Sequence, residues 1–237
     1  MSPAWTAPQN LTADIRVKKR HRIYVPEGEA EMNLLKKTAA GILVLVLVLT
    51  GTACSKNKAL DKVAKVAEQL GFEESGDEDR LQKDVSGTQD YNEMVYCCSD
   101  RQRKAQKIYD EVFNSSNTYP GFDVETAAFM YSNIINSNED AVRENVYIFS
   151  FKTSKKANEF YEILIQEMGV LKSAEGKEKN YSYAVYVTAV EKRVVEQGIY
   201  IEGNTVIIVN GSGYSLSDFS LIDGICKEMD IVSPGAA

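Results

Sequence analysis

Histidine and tryptophan are almost missing from this sequence. The one histidine, His21, and the one tryptophan, Trp5, both precede Cys54. The 184 residues from Cys54 onward therefore contain no imidazole. This absence excludes Ser–His and Cys–His nucleophile pairs, and zinc sites built on histidine, from that part of the chain. It also excludes proton transfer by histidine near neutral pH.

Cysteine is scarce as well, with four residues and no C-x-x-C pair of the kind that metal sites use. Neither a metal nor another cofactor is expected. Cys97 and Cys98 are adjacent in an apolar run that predicts a strand. Since strand neighbours point to opposite faces, at most one of them can readily meet Cys226 on the last predicted helix. Two arrangements stay open: a Cys98–Cys226 disulfide, or three buried thiols.

Positive charge is in deficit after the N-terminal segment. The whole chain has a net charge of −7, and its first 53 residues have an excess of three positive charges, so residues 54–237 carry −10. An acidic domain is repelled by phosphate backbones, and binding to nucleic acid needs a basic patch on one face. No nucleic-acid partner is expected.

The longest hydrophobic run lies near the N-terminus. Lys36-Lys37 precedes it, its centre at 42–49 contains only Ile, Leu and Val, and Thr50-Gly-Thr-Ala-Cys54 follows it. This is the layout of a secretory signal. The uncharged stretch 38–53 would form a helix of roughly 24 Å, shorter than the ~30 Å hydrocarbon core of a membrane. Its length favours a cleaved signal over a permanent span.

Residues 32–55 resemble the signal segment of bacterial lipoproteins, in which small residues precede the cysteine that receives the lipid. Thr52 and Ala53 match those small residues, whereas Gly51 stands where the family usually has Leu. The resemblance implies that Cys54 carries a fatty acyl group such as palmitate and that the membrane is a partner. It also implies a location on the outer face of the cytoplasmic membrane, or in the outer membrane of a Gram-negative host. Cleavage by an ordinary signal peptidase, which would release a chain beginning at Cys54, is the alternative.

Four regions follow from these patterns. Residues 1–31 are predicted to be an upstream extension, with translation starting at Met32, and residues 32–53 the signal segment. Residues 54–90 are predicted to form an N-terminal helix and an acidic linker, and residues 91–232 an α+β domain.

Apolar periodicity and turn residues predict the elements of that domain. The predicted helices cover 59–70, 101–113, a segment that begins after Asp123, a segment that begins after Thr153, and a last one that contains 219–229. The predicted strands cover 94–98, 146–151 and 183–190, with a hairpin over 199–209 that turns at Gly203-Asn204. Residues 172–180 and 210–213 are predicted to be loops.

The fold class that these elements indicate is α+β, with a mixed or antiparallel sheet that helices cover on one face. Residues 103–112 align with 155–164, and each stretch follows a short predicted strand. Duplicated strand–helix units would explain this similarity, and so would chance likeness between two amphipathic helices.

The leading functional hypothesis is a membrane-anchored extracytoplasmic lipoprotein whose α+β domain binds a small ligand or another envelope protein without catalysis. Tyr181 and Tyr183 share a predicted strand face, where exposed rings could stack on a sugar or flank a peptide and buried rings would form core. A second hypothesis is an extracytoplasmic hydrolase that uses paired carboxylates, which sequence alone cannot pair. A third is the solute-binding subunit of a transporter, for which 184 residues are few to build two lobes.

Overall fold

The computed structural model describes residues 57–75, 92–113, 121–136 and 140–237. The predicted extension, the signal segment and Cys54 lie outside these residues, as does most of the acidic linker. Among the residues that are described, no helix has both the length and the apolar character needed to cross a membrane.

Four α-helices and eight strands make up the described part of the chain. The helices are α1 (Lys58–Leu70), α2 (Gln102–Phe113), α3 (Ser154–Met168) and α4 (Ser220–Met229). The strands are β1 (Glu73–Glu74), β2 (Glu93–Ser99), β3 (Val124–Ile135), β4 (Ala141–Phe151), β5 (Ala174–Lys177), β6 (Ser182–Val190), β7 (Arg193–Glu202) and β8 (Thr205–Gly213).

The strands form a single sheet in the order β1-β2-β3-β4-β8-β7-β6-β5. The pair β1–β2 is parallel and the other six pairs are antiparallel. The sheet is therefore mixed, and the predicted α+β class is confirmed. The predicted hairpin is also present, because Glu202 pairs with Thr205 around Gly203, whose positive φ of 61° suits glycine in a tight turn.

Helices cover both faces of this sheet, so the prediction of a single covered face is wrong. Alternate residues of β4 enter two separate cores: Phe149 packs under α2 and α3, whereas Ile148 packs under α1 and α4. We refer to the side of α2 and α3 as face A and to the side of α1 and α4 as face B. The reason lies in the central strands, since β3 is buried on both sides from Ala127 to Asn133 and neither side can be left to water.

Three local predictions also fail. The segment after Asp123 is strand β3 and not a helix, because its nearly continuous apolar run matches helical spacing by accident. Residues 174–177, predicted to be loop, form the short edge strand β5. Residues 210–213, also predicted to be loop, continue β8 to Gly213. The polar side chains of Asn210 and Ser212 suggested a loop, but they point to a part of face A that α2 and α3 leave open.

Other local predictions hold for physical reasons visible in the structure. Gly71 ends α1 in the left-handed conformation with φ of 77°, and the Thr153 side chain accepts a hydrogen bond from the backbone N–H of Lys156 at the start of α3. Helices α2 and α3, which carry the similar sequences, follow β2 and β4 and lie together on face A. Duplication of a strand–helix unit stays a prediction.

Candidate functional site: an open polar region of the sheet

Face A changes from apolar to polar along its strands. Under α2 and α3 the cross-strand neighbours Phe129, Tyr147, Ile208 and Ile199 belong to, or pack against, the core. One row further along the strands, the side chains that point to the same face become polar. Because strand side chains alternate, this region lies beside the core, in the same layer as the two helices.

The centre of the polar region is a row of three side-chain amides, which we call the amide row. Asn145 of β4 pairs with Asn210 of β8, and Asn210 pairs with Gln197 of β7. Neighbouring strands lie roughly 4.8 Å apart, so the row extends about 10 Å across the sheet. All three side chains are half-buried. None of them has a side-chain hydrogen-bond partner among the described residues.

Tyrosines continue this row on both sides. Tyr131 of β3 pairs with Asn145 and is buried, whereas Tyr186 of β6 pairs with Gln197 and is half-buried. The row thus places amide donors and acceptors between two aromatic rings. Of the two rings, the half-buried Tyr186 is the one that a ligand can reach, and its combination with the amides suits a ligand that has both hydroxyl groups and an apolar C–H face.

A cationic group lies next to the amide row, and we call it the arginine cluster: Arg143, Ser212, Arg193 and Tyr214. Arg143 of β4 pairs with Ser212 of β8. The guanidinium group of Arg193 donates to Ser212 Oγ through Nε at 3.2 Å and through Nη2 at 2.9 Å. It also lies over the Tyr214 ring, 5.3 Å from the centroid. These contacts fix the Arg193 side chain in place.

Arg143 differs from Arg193 because its side chain is exposed and has no hydrogen-bond or ion-pair partner within the described part of the chain. Within the described residues Ser212 Oγ accepts from Arg193 and donates to no acceptor, so its hydroxyl proton is available to a ligand oxygen. Beyond the cluster, Ile135 and Val190 form an exposed apolar rim at the end of β3 and β6, with exposed fractions of 37% and 59%.

Face B contains a pair of acidic residues, Glu144 and Glu196, which we call the carboxylate pair. Glu144 of β4 and Glu196 of β7 flank Gly211 of β8 in one cross-strand row, and both are buried. Burial raises the pKa of Glu144 to about 8 and the pKa of Glu196 to about 7. Each carboxyl also experiences the negative charge of Asp223, which raises its pKa further. Both groups therefore stay largely protonated below neutral pH.

Glu144 supplies the cap that α4 lacks locally. No side chain at the start of α4 accepts its first N–H groups. Instead Glu144 Oε2 accepts from the backbone N–H of Ile222 at 2.9 Å. The N–H groups of Ile222 and Leu221 at the helix N-terminus lower the pKa of this carboxyl group and so partly offset the cost of burying it.

The C-terminal segment, residues 231–237, covers Glu196. The Tyr200 hydroxyl donates to the Val232 carbonyl at 2.7 Å, and Ser233 Oγ donates to Asp223 Oδ1 at 2.8 Å. A Cβ atom placed on Gly235 would lie 3.2 Å from Glu196 Oε2. The carboxylate pair is thus closed off by the first turn of α4 and by this segment.

Tyr181 and Tyr183, predicted as ligand-binding residues, lie on face B and not beside the amide row. Both are half-buried and pack against Tyr200, with ring centroids 6.3 Å and 6.4 Å away. The Tyr181 hydroxyl also accepts from the backbone N–H of Val232 at 3.0 Å. Binding through these two rings stays a prediction, and in this arrangement Tyr181 holds the C-terminal segment.

The predicted cysteine partners are both buried in the core of face B, and Cys97 is buried in that of face A. Cys98 and Cys226 form no disulfide with each other in this structure. The Cys226 thiol contacts the hydroxyl of Tyr200 on β7. Cys98 lies on β2, which strands β3, β4 and β8 separate from β7, so the two cysteines are far apart. Burial raises the pKa of Cys226 to about 12. The disulfide stays a prediction, which the mass of the chain before and after reduction tests.

Two surface clefts lie away from both polar groups. The first, of about 460 Å³, is lined by polar residues of α2 from Gln102 to Asp110 together with Asp123. The second, of about 390 Å³, is lined by residues of α3 with Gly121 and Phe122. Neither contains a member of the amide row, the arginine cluster or the carboxylate pair. Within the described residues, no group of histidine, cysteine or carboxylate side chains could hold a metal ion.

Comparison with known proteins gives no family for this chain. Neither a model of a known protein family nor a curated protein sequence matches it. Among solved structures, the extracellular domain of PknH from Mycobacterium tuberculosis is similar, with 16% sequence identity over 64% of this chain and 89% of that domain and a TM-score of 0.34. A likeness at this level is too distant to indicate a shared function, so the function must be argued from the site itself.

Proposed function

We propose that this chain is an extracytoplasmic protein, anchored to a membrane by a lipid on Cys54, whose domain binds a hydroxyl-rich polar ligand without catalysis. The amide row carries the binding part of this proposal. Half-buried side-chain amides usually form hydrogen bonds with one another or with the backbone. The side chains of Asn145, Asn210 and Gln197, however, have no hydrogen-bond partner among the described residues. Each offers two donors and an acceptor to the open side of face A.

The carboxylate pair favours a second candidate, a hydrolase that uses Glu144 and Glu196. Their raised pKa values suit a general acid. Geometry argues against it, because a substrate would have to displace both the C-terminal segment and the first turn of α4 to reach them. A transporter subunit has less support, because the described strands form one sheet and not two lobes.

Substitution of Cys54 tests the anchor. In the native host, Cys54→Ser is expected to lose labelling by radioactive palmitate and to move from the membrane fraction to the soluble fraction or to remain as an unprocessed precursor. The physical reason is that serine has no thiol to accept a lipid. Fractionation and the mass of the mature chain measure the result. Equal labelling, mass and partition of the variant and the wild-type chain would show that Cys54 is not acylated.

Substitution in the amide row tests the binding. Titration calorimetry of the detergent-solubilised full chain with neutral oligosaccharides, maltotriose and chitotriose, is expected to detect binding that Asn210→Leu weakens by about three- to tenfold per lost hydrogen bond. Gln102→Leu is the matched control, since it removes an exposed amide at the start of α2, at the other end of the sheet. No affinity for either sugar, or equal losses in both variants, would argue against the proposal.

A further inference from the structure

The arginine cluster and the amide row lie next to each other on the same strands. Arg143 is two residues from Asn145 on β4, and Ser212 is two residues from Asn210 on β8, so the side chains of both pairs point to face A. A ligand that fills the amide row is therefore within reach of the guanidinium groups. Since the domain as a whole is acidic, two arginines on one open region of its surface are a local reversal of charge.

The geometry of the cluster suits a single anionic group. Strands β4 and β7 lie about 10 Å apart across β8, a distance that two arginine side chains can close from either side. Arg193 is held by Ser212 and Tyr214, whereas Arg143 has no partner in the described residues and is free to turn toward a ligand. Two guanidinium groups around a hydroxyl donor form a site for a carboxylate, because each planar fork matches two carboxylate oxygens.

We infer that the ligand is an acidic carbohydrate, whose hydroxyl groups bind the amide row and whose carboxylate lies between Arg143, Ser212 and Arg193. This inference rests on the proposed binding function and specifies its ligand class. The half-buried Tyr186 ring at one end of the amide row contacts the apolar face of a sugar unit. A charged pair at a partly exposed site also makes the binding dependent on salt.

The test compares matched probes on the detergent-solubilised full chain. Tri-galacturonate carries carboxylates, maltotriose is neutral, and inorganic phosphate is an anion without a sugar. Tri-galacturonate is expected to bind at least tenfold more tightly than maltotriose, and its affinity is expected to fall as salt is raised. Arg143→Gln is expected to reduce the affinity for tri-galacturonate about tenfold and to leave that for maltotriose unchanged. Arg143 is the first choice because it is exposed and has no hydrogen-bond or ion-pair partner among the described residues, so its substitution is expected to leave the fold intact.

Control variants separate the cluster from overall charge. Arg101→Gln removes the same charge from the other end of the sheet and is expected to change neither affinity. Arg193→Gln is expected to act like Arg143→Gln, with thermal unfolding as a check that the variant is folded. Equal binding of the acidic and neutral sugars would overturn the acidic ligand and leave the amide row in place. If neither sugar binds, both proposals are overturned. If phosphate binds as tightly as tri-galacturonate, the proposal that the ligand is a carbohydrate is overturned.

Discussion

The free energy of unfolding is expected to fall by several kcal/mol between pH 5 and pH 8. The cause is the carboxylate pair, since burial raises the pKa of Glu144 to about 8 and that of Glu196 to about 7. For Glu144 alone, a shift of that size corresponds to a loss on the order of 5 kcal/mol when each pH unit counts about 1.4 kcal/mol. Urea unfolding of the full chain in detergent, followed by circular dichroism at a series of pH values, measures it.

The sign follows from proton binding in the two states. In the unfolded chain both glutamates ionise near their ordinary pKa of 4.5, whereas the folded chain keeps their protons up to about pH 7 to 8. Between these limits the folded state binds more protons than the unfolded state, so stability falls as the pH rises. At pH values below the pKa of the unfolded chain and above that of the folded chain, the carboxylate pair no longer makes stability depend on pH.

Glu144→Gln is expected to remove most of this pH dependence. Its amide oxygen can still accept from the Ile222 N–H, and it has no proton to lose, so the variant should exceed the wild-type chain in stability at pH 8. Glu159→Gln is the matched control, because Glu159 is exposed on α3 and pairs with Lys156 at the surface. If the stability of Glu144→Gln depends on pH as strongly as that of the wild-type chain, the Glu144 pKa is not raised in the folded chain.

Truncation of Phe160 is expected to cost about 3–5 kcal/mol of stability. Phe160 is fully buried in α3 and its ring lies 5.2–6.3 Å from those of five other aromatic residues. These five are Tyr109, Phe113, Phe122, Phe149 and Phe151. Phe160→Ala would leave a cavity among them, which the neighbouring helix and strands can close only in part. Urea unfolding at pH 5, where the carboxylate pair is protonated, measures this cost separately.

Two further variants serve as controls for the expected loss of stability in Phe160→Ala. Phe160→Leu keeps most of the buried volume and is expected to lose less than half as much stability. Asn158→Ala, on an exposed position of the same helix, is expected to change stability by less than about 1 kcal/mol. A loss in Phe160→Ala no larger than that in Asn158→Ala would mean that the aromatic cluster does not pack as the structure has it.

Local signals in the sequence were sufficient for the parts of the fold that depend on neighbouring residues. Gly71, Thr153 and the Gly203-Asn204 turn mark their elements correctly because caps and tight turns need particular residues at particular positions. The segment 124–135 was assigned wrongly because its burial is set by partners on both sides, which are distant in the chain. A strand buried on both faces has no alternation to reveal it.

The candidate site could not be found from the sequence for the same reason. Asn145, Gln197 and Asn210 are separated by 52 and 13 residues, and only the pairing of β4, β8 and β7 aligns them. Glu144 and Glu196 likewise meet only across Gly211. Tyr181 and Tyr183 drew attention because they are close in sequence, although a shared strand face does not tell whether that face is open or covered.

The start of α1 determines which end of the sheet lies nearest to the lipid anchor that we propose at Cys54. The Asn57 side chain donates to Thr126 at 2.8 Å and to Ser150 at 3.0 Å, where β3 begins and β4 ends. Three residues separate Asn57 from Cys54, a reach of at most about 11 Å. With a lipid on Cys54, the Ser150 end of β4 is tethered near the head groups, and Arg143 lies roughly 23 Å further along the strand. Molecules would then approach the arginines from the aqueous surroundings and not along the lipid surface.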